Sequence, residues 1–219
     1  MPTTDCAFEE RFSTSCDLLR ANTLNRPILY KILKACAVER MPLFELELFI
    51  GEQPEAQSAT QPPYFLIQWL VDAGSLDVYE LDDEGVDVTD ERKEGLSEDE
   101  IDDLIFETAY RTNEVGLAVL GEFDPTARLK TLFETVPERL STYAELLSFL
   151  EEPRAYVEVD ALLRGRDILM LGRDEGDRPL QPSVFLDKLA AAGGIVWSEG
   201  WIITDEGKEL LEAIRTEEE

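Results

Sequence analysis

The sequence predicts a mainly helical protein with small β-hairpins, an α+β fold built from two similar domains. Apolar residues recur at helical spacing through most of the 219 residues. A β-like run follows the third predicted helix in each half, at 76–81 and at 195–197. The two third helices also begin alike, at an offset of 120 residues: Gln61-Pro62-x-x-Phe65-Leu66 and Gln181-Pro182-x-x-Phe185-Leu186. A repeat at that distance indicates duplicated domains, because solenoid repeats have a shorter period.

Three helices are predicted in the first half before its β-like run. Asn25 is a favourable N-cap and Pro27 suits a first helical turn, so the first helix should begin there. A second helix should follow Pro42. The third begins at Pro62-Pro63 and should end at Gly74, because glycine commonly terminates helices.

The second half follows the same order. Asp124-Pro125 opens a connecting helix. Thr142 and Glu145 have the spacing of a capping box and predict the start of the next helix. A second helix should stop at Gly165, and the third should stop at Gly193-Gly194.

A β-hairpin and a last helix are predicted after that third helix. Ser198-Glu199-Gly200 separates two apolar β-like runs, and Gly200 is expected to take the positive φ that such a loop needs. The final helix should span 205–214.

The second strand of the first domain's hairpin has two candidate positions. Residues 84–91 match residues 199–206 at five of eight positions. Alternatively, the passage from strand to helix lies at 112–116, and an acidic insertion at about 82–104 lengthens the hairpin. Ser97 and Glu100 have capping-box spacing, which predicts a short helix inside that insertion. We prefer the long hairpin, because a shared acidic composition explains part of the other match.

Three helices followed by a hairpin resemble the winged-helix variant of the helix-turn-helix. The most specific stretches are Phe185-Leu186-x-x-Leu189-x-x-x-Gly193-Gly194-Ile195 and Trp201-Ile202-Ile203-Thr204-x-x-Gly207. They are similar to the recognition helix, wing and following helix of MarR-like and PadR-like proteins, and the likeness covers 141–214. It implies tandem winged-helix domains at 17–121 and 122–219, after an N-terminal extension at 1–16.

Composition disfavours the common enzymatic mechanisms. The chain has no histidine, which removes Ser–His and Cys–His nucleophile activation and the commonest transition-metal ligand. Its three cysteines form no CxxC pair, and Cys36 lies in an apolar helical stretch that predicts a buried thiol. We therefore expect a non-enzymatic protein with no metal and no cofactor.

The chain is strongly acidic, and its negative charge is concentrated in one region, which affects the partners it can bind. The formal net charge is −28. Residues 77–124 hold 18 acidic and three basic residues, a net −15. The sequence shows neither a signal-peptide core nor an apolar stretch long enough for a membrane helix, so we expect a soluble cytoplasmic protein without membrane contact.

Direct DNA binding is possible but disfavoured by this charge. A winged helix that reads DNA usually places its third helix in the major groove and uses Lys and Arg on phosphates. The first domain's third helix has no basic residue, and the second domain's has only Lys188. Candidate nucleic-acid or partner contacts in the second domain are Arg164, Arg166, Lys188, Trp197 and Trp201.

The first domain's third helix is apolar on two sides. If Phe65, Leu66, Trp69, Leu70 and Ala73 face inward, another set faces away from the core: Tyr64, Ile67, Gln68 and Val71. That set predicts an interface with the other domain, with a second copy of the chain or with a protein partner. The expected function is regulation or scaffolding through protein contacts. A DNA-binding transcriptional regulator and an acidic DNA mimic are the alternatives.

Overall fold

A computed structural model describes residues 3–174 and 176–217. The chain divides into two compact units, Met1–Phe123 and Asp124–Glu219. Each unit has its own hydrophobic core, and none of the described residues belongs to both cores. Helices dominate and the strands form small antiparallel sheets, so the predicted mainly helical α+β class is confirmed.

The first unit combines helices with a three-stranded sheet. Its helices are α1 (Thr3–Ala21), α2 (Arg26–Val38), α3 (Leu43–Glu52), α4 (Pro63–Asp72), α5 (Asp90–Lys93), α6 (Glu98–Leu104) and α7 (Glu114–Glu122). Its strands are β1 (Met41–Pro42), β2 (Leu76–Leu81) and β3 (Glu107–Thr112), with spatial order β1–β3–β2 and every pair antiparallel. A 3-10 turn at Pro54–Ser58 joins α3 to α4.

The second unit has the same plan. Its helices are α8 (Pro125–Thr135), α9 (Leu140–Phe149), α10 (Tyr156–Leu163), α11 (Ser183–Ala192) and α12 (Asp205–Glu217), and its strands are β4 (Ile195–Trp197) and β5 (Trp201–Ile203). Arg154 adds a one-residue strand beside β5, because its backbone exchanges hydrogen bonds of 3.0 and 2.8 Å with Trp201. In both units, therefore, a short strand after the first core helix pairs with the second hairpin strand.

The buried positions of corresponding helices repeat at constant spacing. In α2 the buried apolar residues are Ile28, Leu29, Ile32, Leu33 and Cys36, and the buried residues 114 positions later are Thr142, Tyr143, Leu146, Leu147 and Leu150. In α4 the buried residues are Leu66, Ile67, Leu70 and Ala73, and those 119 positions later in α11 are Phe185, Leu186, Leu189 and Ala192. The same pattern of inward faces therefore builds both cores. The burial of Cys36 is confirmed.

A shared junction joins the third helix to the last helix of each unit. The backbone N–H of Asn113 donates to the Ser75 carbonyl at 3.3 Å, and the Asn113 side chain accepts from the N–H of Gly116 at 3.1 Å. A Cβ atom on Gly116 would lie only 2.4 Å from the Ser75 carbonyl oxygen. The second unit repeats these contacts with Thr204, Gly194 and Gly207.

The N-terminal helix belongs to the first unit. The predicted division at residue 16 is not a structural boundary, because α1 runs through it and Cys16 and Leu19 are in the core. The Ser15 hydroxyl donates to the Ala73 carbonyl at 3.0 Å, which ties α1 to the end of α4. Helix α1 packs on α7 as α8 packs on α12, so α1 corresponds to α8.

Two predicted helix caps are wrong. The side chain of Asn25 does not cap α2; it accepts a 2.7 Å hydrogen bond from the backbone N–H of Thr60 instead. Helix α9 begins at Leu140, which places Thr142 inside the helix and buries it.

The hairpin loop of the second unit also differs from expectation. Glu199, and not Gly200, takes the positive φ, at 59°. Gly200 instead permits a close backbone approach, since a Cβ there would lie 3.0 Å from the backbone nitrogen of Arg154.

The long hairpin of the first unit is confirmed. Strands β2 and β3 pair from Leu76 with Thr112 to Leu81 with Glu107, and the insertion occupies 82–106. The predicted capping box is present at the start of α6, where the Ser97 N–H donates to Glu100 at 2.9 Å.

Candidate functional site

The face that α4 turns to solvent differs from the predicted one. The prediction that Ile67 faces away from the core is wrong, because Ile67 is 1% exposed and packs within the first unit. Phe65, predicted to face inward, is 52% exposed, and its neighbour Tyr64 is 47% exposed. Their rings meet edge to face with centroids 5.8 Å apart. The start of α4 therefore presents two aromatic rings to solvent.

The other two predicted interface residues are half-buried. Val71 packs against the core of its own unit. The Gln68 amide donates to the Asp72 carboxylate at 3.1 Å, one turn further along the helix. Only Tyr64, of the four residues predicted to form an interface, is strongly exposed.

Helix α3 adds apolar side chains to the exposed surface. Leu46 and Ile50 are buried, whereas Phe44 and Leu48, one turn apart, are 66% and 54% exposed. We refer to the exposed side chains of α3 and α4 as the aromatic surface: Phe44, Leu48, Tyr64 and Phe65. Apolar residues lie on several sides of α3 between its glutamates, and this was the signal from which the exposed pair could have been found.

The buried phenol of Tyr110 lies near a polar group of each of the two helices that form this surface. Burial raises the pKa of Tyr110, and the nearby Tyr64 phenol and Glu47 carboxylate raise it further. Glu47 lies on α3 between Phe44 and Leu48, and Tyr64 begins the exposed part of α4. A carboxylate of α3 and a phenol of α4 therefore both lie near the same core residue.

A cleft of about 360 Å³ continues from α3 to the start of β3. Phe106, 74% exposed, immediately precedes β3. The pairing of Pro42 with Ala109 brings the start of α3 beside the start of β3. The residues that line this Phe44–Phe106 cleft are Leu43, Phe44, Glu47, Ile105, Phe106, Glu107 and Thr108.

Internal ion pairs hold the acidic insertion against the sheet. Arg92 bonds Asp82 at 2.7 Å, and Lys93 pairs with Glu80. Hydrogen bonds lower the pKa of Asp82: the N–H of Val86 has the largest effect, and the Arg92 guanidinium has the next largest. The basic residues of the insertion are thus engaged with carboxylates of the same hairpin, which leaves its exposed surface acidic.

Arg40 fastens the base of the same hairpin. Its guanidinium lies over the Tyr79 ring, 3.8 Å from the centroid, and pairs with Asp87. Since Arg40 directly precedes β1, it links the sheet to the insertion.

The candidate arginines of the second unit are paired with carboxylates. Arg166 makes two hydrogen bonds to Glu145, one of 2.9 Å, and this contact lowers the pKa of Glu145. Arg164 pairs with Asp160, one turn earlier on α10. A phosphate would have to compete with these carboxylates for each guanidinium.

The remaining candidates of the second unit lie apart in the fold. Trp197 and Trp201 face each other across the hairpin, with ring centroids 5.5 Å apart, and Trp201 also packs against the core. Lys188 lines a different depression, between α8 and α11. The structure therefore brings the two tryptophans together and places Arg164 and Arg166 in one depression, whereas Lys188 lines another.

No group of three or more Cys, Asp and Glu side chains is arranged to hold a metal ion within residues 3–174 and 176–217. In this described part of the chain, none of the helices combines the length with the apolarity that crossing a bilayer requires. Comparisons of the chain with protein-family models, with curated proteins and with solved structures find no match.

Proposed function

We propose that the chain is a tandem winged-helix protein that acts in regulation or as a scaffold through protein contacts, without catalysis. The observation that carries the proposal is the aromatic surface of the first unit. Exposed aromatic side chains grouped beside aliphatic ones are typical of protein interfaces, where aromatic residues are enriched.

The winged-helix part of the proposal is supported by the order and pairing of elements. Each unit has three core helices, a short strand after the first of them, a hairpin after the third and a helix after the hairpin. The short strand pairs with the second hairpin strand in both units. This arrangement is typical of winged-helix domains.

The charge of the third helices favours a protein partner over DNA. A DNA reader places polar and basic side chains at the start of its recognition helix. Here Tyr64 and Phe65 occupy that position, and α4 carries no basic residue. The carboxylate pairing of Arg164 and Arg166 lowers their availability for phosphates. A net charge of −28 opposes approach to a polyanion.

The first test measures binding to labelled random duplex DNA by fluorescence anisotropy at two salt concentrations. We expect no binding in the range of about 10⁻⁴–10⁻⁶ M that non-specific DNA-binding proteins reach at physiological salt. Micromolar binding with a steep salt dependence would contradict the proposal and would support the transcriptional-regulator alternative.

The second test asks what the aromatic surface contacts in the cells that make the protein. A photo-crosslinking phenylalanine analogue replaces Phe65, and in a control chain it replaces Val157, an exposed apolar residue of the second unit. We expect protein adducts from position 65 that are absent at position 157. Nucleic-acid adducts, or no protein adducts from position 65, would count against a protein-contact function.

A further inference from the structure

We propose that the Phe44–Phe106 cleft binds a short Lys/Arg-rich segment of a partner protein, with one or two large apolar side chains of that segment seated between the two rings. This inference rests on the proposed protein-contact function and specifies its partner. Three properties of the cleft lead to it: fixed aromatic groups, an acidic lining and a position next to the acidic insertion.

Both aromatic residues are held by the backbone while their side chains face solvent. The Phe106 N–H donates to the Leu81 carbonyl at 2.8 Å, which fixes it at the end of the sheet. Phe44 is the second residue of α3, directly after strand β1, which pairs with β3. Binding to side chains on a fixed backbone costs less conformational entropy than binding to a mobile loop.

The residues that line the cleft favour a positively charged partner segment. Four of its seven residues are apolar, two are the carboxylates Glu47 and Glu107, and none is basic. Ile105, which lines the cleft, directly follows the acidic helix α6, whose sequence is Glu-Asp-Glu-Ile-Asp-Asp-Leu. A segment that combines apolar anchors with Lys or Arg would bury the anchors and place its cations opposite these carboxylates.

The second unit provides a matched control position. Phe44 lies two residues before the buried Leu46, and Val157 lies two residues before the buried Val159 on the corresponding helix α10. Val157 is 68% exposed, close to the 66% of Phe44. Replacing either residue with serine removes a similarly exposed apolar side chain from the same place in a helix.

The test uses the full chain and three fluorescent peptides of equal length. The first is an amphipathic peptide of Lys, Leu and Trp; the second has Glu in place of Lys; the third has the charge of the first but Ser in place of Leu and Trp. At physiological salt we expect micromolar binding of the first peptide only. The double variant Phe44→Ser/Phe106→Ser should bind it at least tenfold more weakly, whereas Val157→Ser should stay within twofold of the wild type.

A second variant separates charge from apolar contact. Glu47→Gln/Glu107→Gln should weaken binding several-fold and make it less sensitive to salt, because two screened attractions are removed. Equal binding of the Lys/Ser peptide, or unchanged binding by the Phe44→Ser/Phe106→Ser variant, would overturn the inference while leaving a protein-contact function in place. Tight duplex-DNA binding by the same sample would instead overturn the proposed function.

Discussion

At the start of α7, the backbone of Gly116 packs against the Ser75 carbonyl so closely that no side chain fits. A Cβ there would lie 2.4 Å from that oxygen, whereas Gly121 in the same helix has nothing within 4 Å of the corresponding point. The carbonyl is part of the backbone, so it has little freedom to move aside. The contact therefore fixes the angle at which α7 leaves the sheet.

This contact predicts opposite effects for two alanine substitutions in one helix. Gly116→Ala should lower the free energy of unfolding by about 1–3 kcal/mol through overpacking. Gly121→Ala should leave it unchanged or raise it by up to about 1 kcal/mol, because alanine is the better helix former. Urea denaturation monitored by circular dichroism measures both. Equal stability of the two variants would contradict the close approach.

The three cysteines should differ in reactivity. Burial raises the pKa of Cys36 to about 12 and also raises that of Cys16, whereas Cys6 is exposed. The thiolate is the reactive form, so buried thiols with a raised pKa react slowly near neutral pH. A maleimide at pH 8 should modify Cys6 rapidly and the other two only after unfolding. Mass spectrometry of the modified peptides checks this, and rapid labelling of Cys36 would contradict the burial.

The sequence indicated which residues have a structural role more accurately than it indicated what that role is. Gly200 stands out as a hairpin glycine, yet its role is to admit the backbone of Arg154, which lies 46 positions earlier. Asn25 is a good cap by residue type, yet it binds Thr60. Both outcomes depend on chain segments that meet only after folding, and local propensity does not report such contacts.

At the scale of elements, helix α4 shows how a one-residue error changes a predicted face. The matching Gln-Pro-x-x-Phe-Leu motifs align the third helices at an offset of 120, whereas their buried positions coincide at 119. One residue turns a helix by about 100°. The motif therefore equates the exposed Phe65 with the buried Phe185, although Leu66 is its structural counterpart.

The observed face of α4 predicts which substitutions destabilise the first unit. Ile67→Ala should lower the free energy of unfolding by about 2–5 kcal/mol, because it leaves a cavity in the core. Phe65→Ala should change it by no more than about 0.5 kcal/mol, since the ring is half in solvent. Thermal unfolding of both variants provides the comparison. A larger loss of stability for Phe65→Ala than for Ile67→Ala would contradict the observed face and support the predicted one, in which Phe65 faces the core.

Strands and helices were predicted well where the signal was local. The glycine stop after α11, the capping box of α6 and the passage from strand to helix at Asn113 all depend on residues a few positions apart. The Phe44–Phe106 cleft could not be predicted in this way. Its two sides lie about 60 positions apart in the sequence, and the pairing of β1 with β3 brings them together.

At the scale of the whole molecule, each unit builds a hydrophobic core from its own helices and strands. The core of the first unit draws on α1 to α4 and α7 with residues of the sheet, and that of the second on α8 through α12, and no described residue is shared. The boundary between them lies at Phe123–Asp124. Separate cores are the usual basis for independent folding of domains.

The two halves should therefore fold when they are produced separately. Chains of residues 1–123 and 124–219 should each give helical circular dichroism and a cooperative urea transition. A chain of residues 1–106, which lacks β3 and α7, should give neither, because α1 and α2 then lose the helix and strand that cover them. A missing cooperative transition in either half would show that the unit depends on the rest of the chain.

The two hairpins also differ in the order of events during synthesis. Ile203 follows its partner Ile195 by eight positions, whereas Thr112 follows its partner Leu76 by 36. At about 5–20 residues per second, β2 waits about 2–7 seconds for the strand that completes its sheet, while β4 waits about 0.4–1.6 seconds. The first unit, although made first, thus has the slower closing step, and an unpaired strand edge remains open on the nascent chain during that interval.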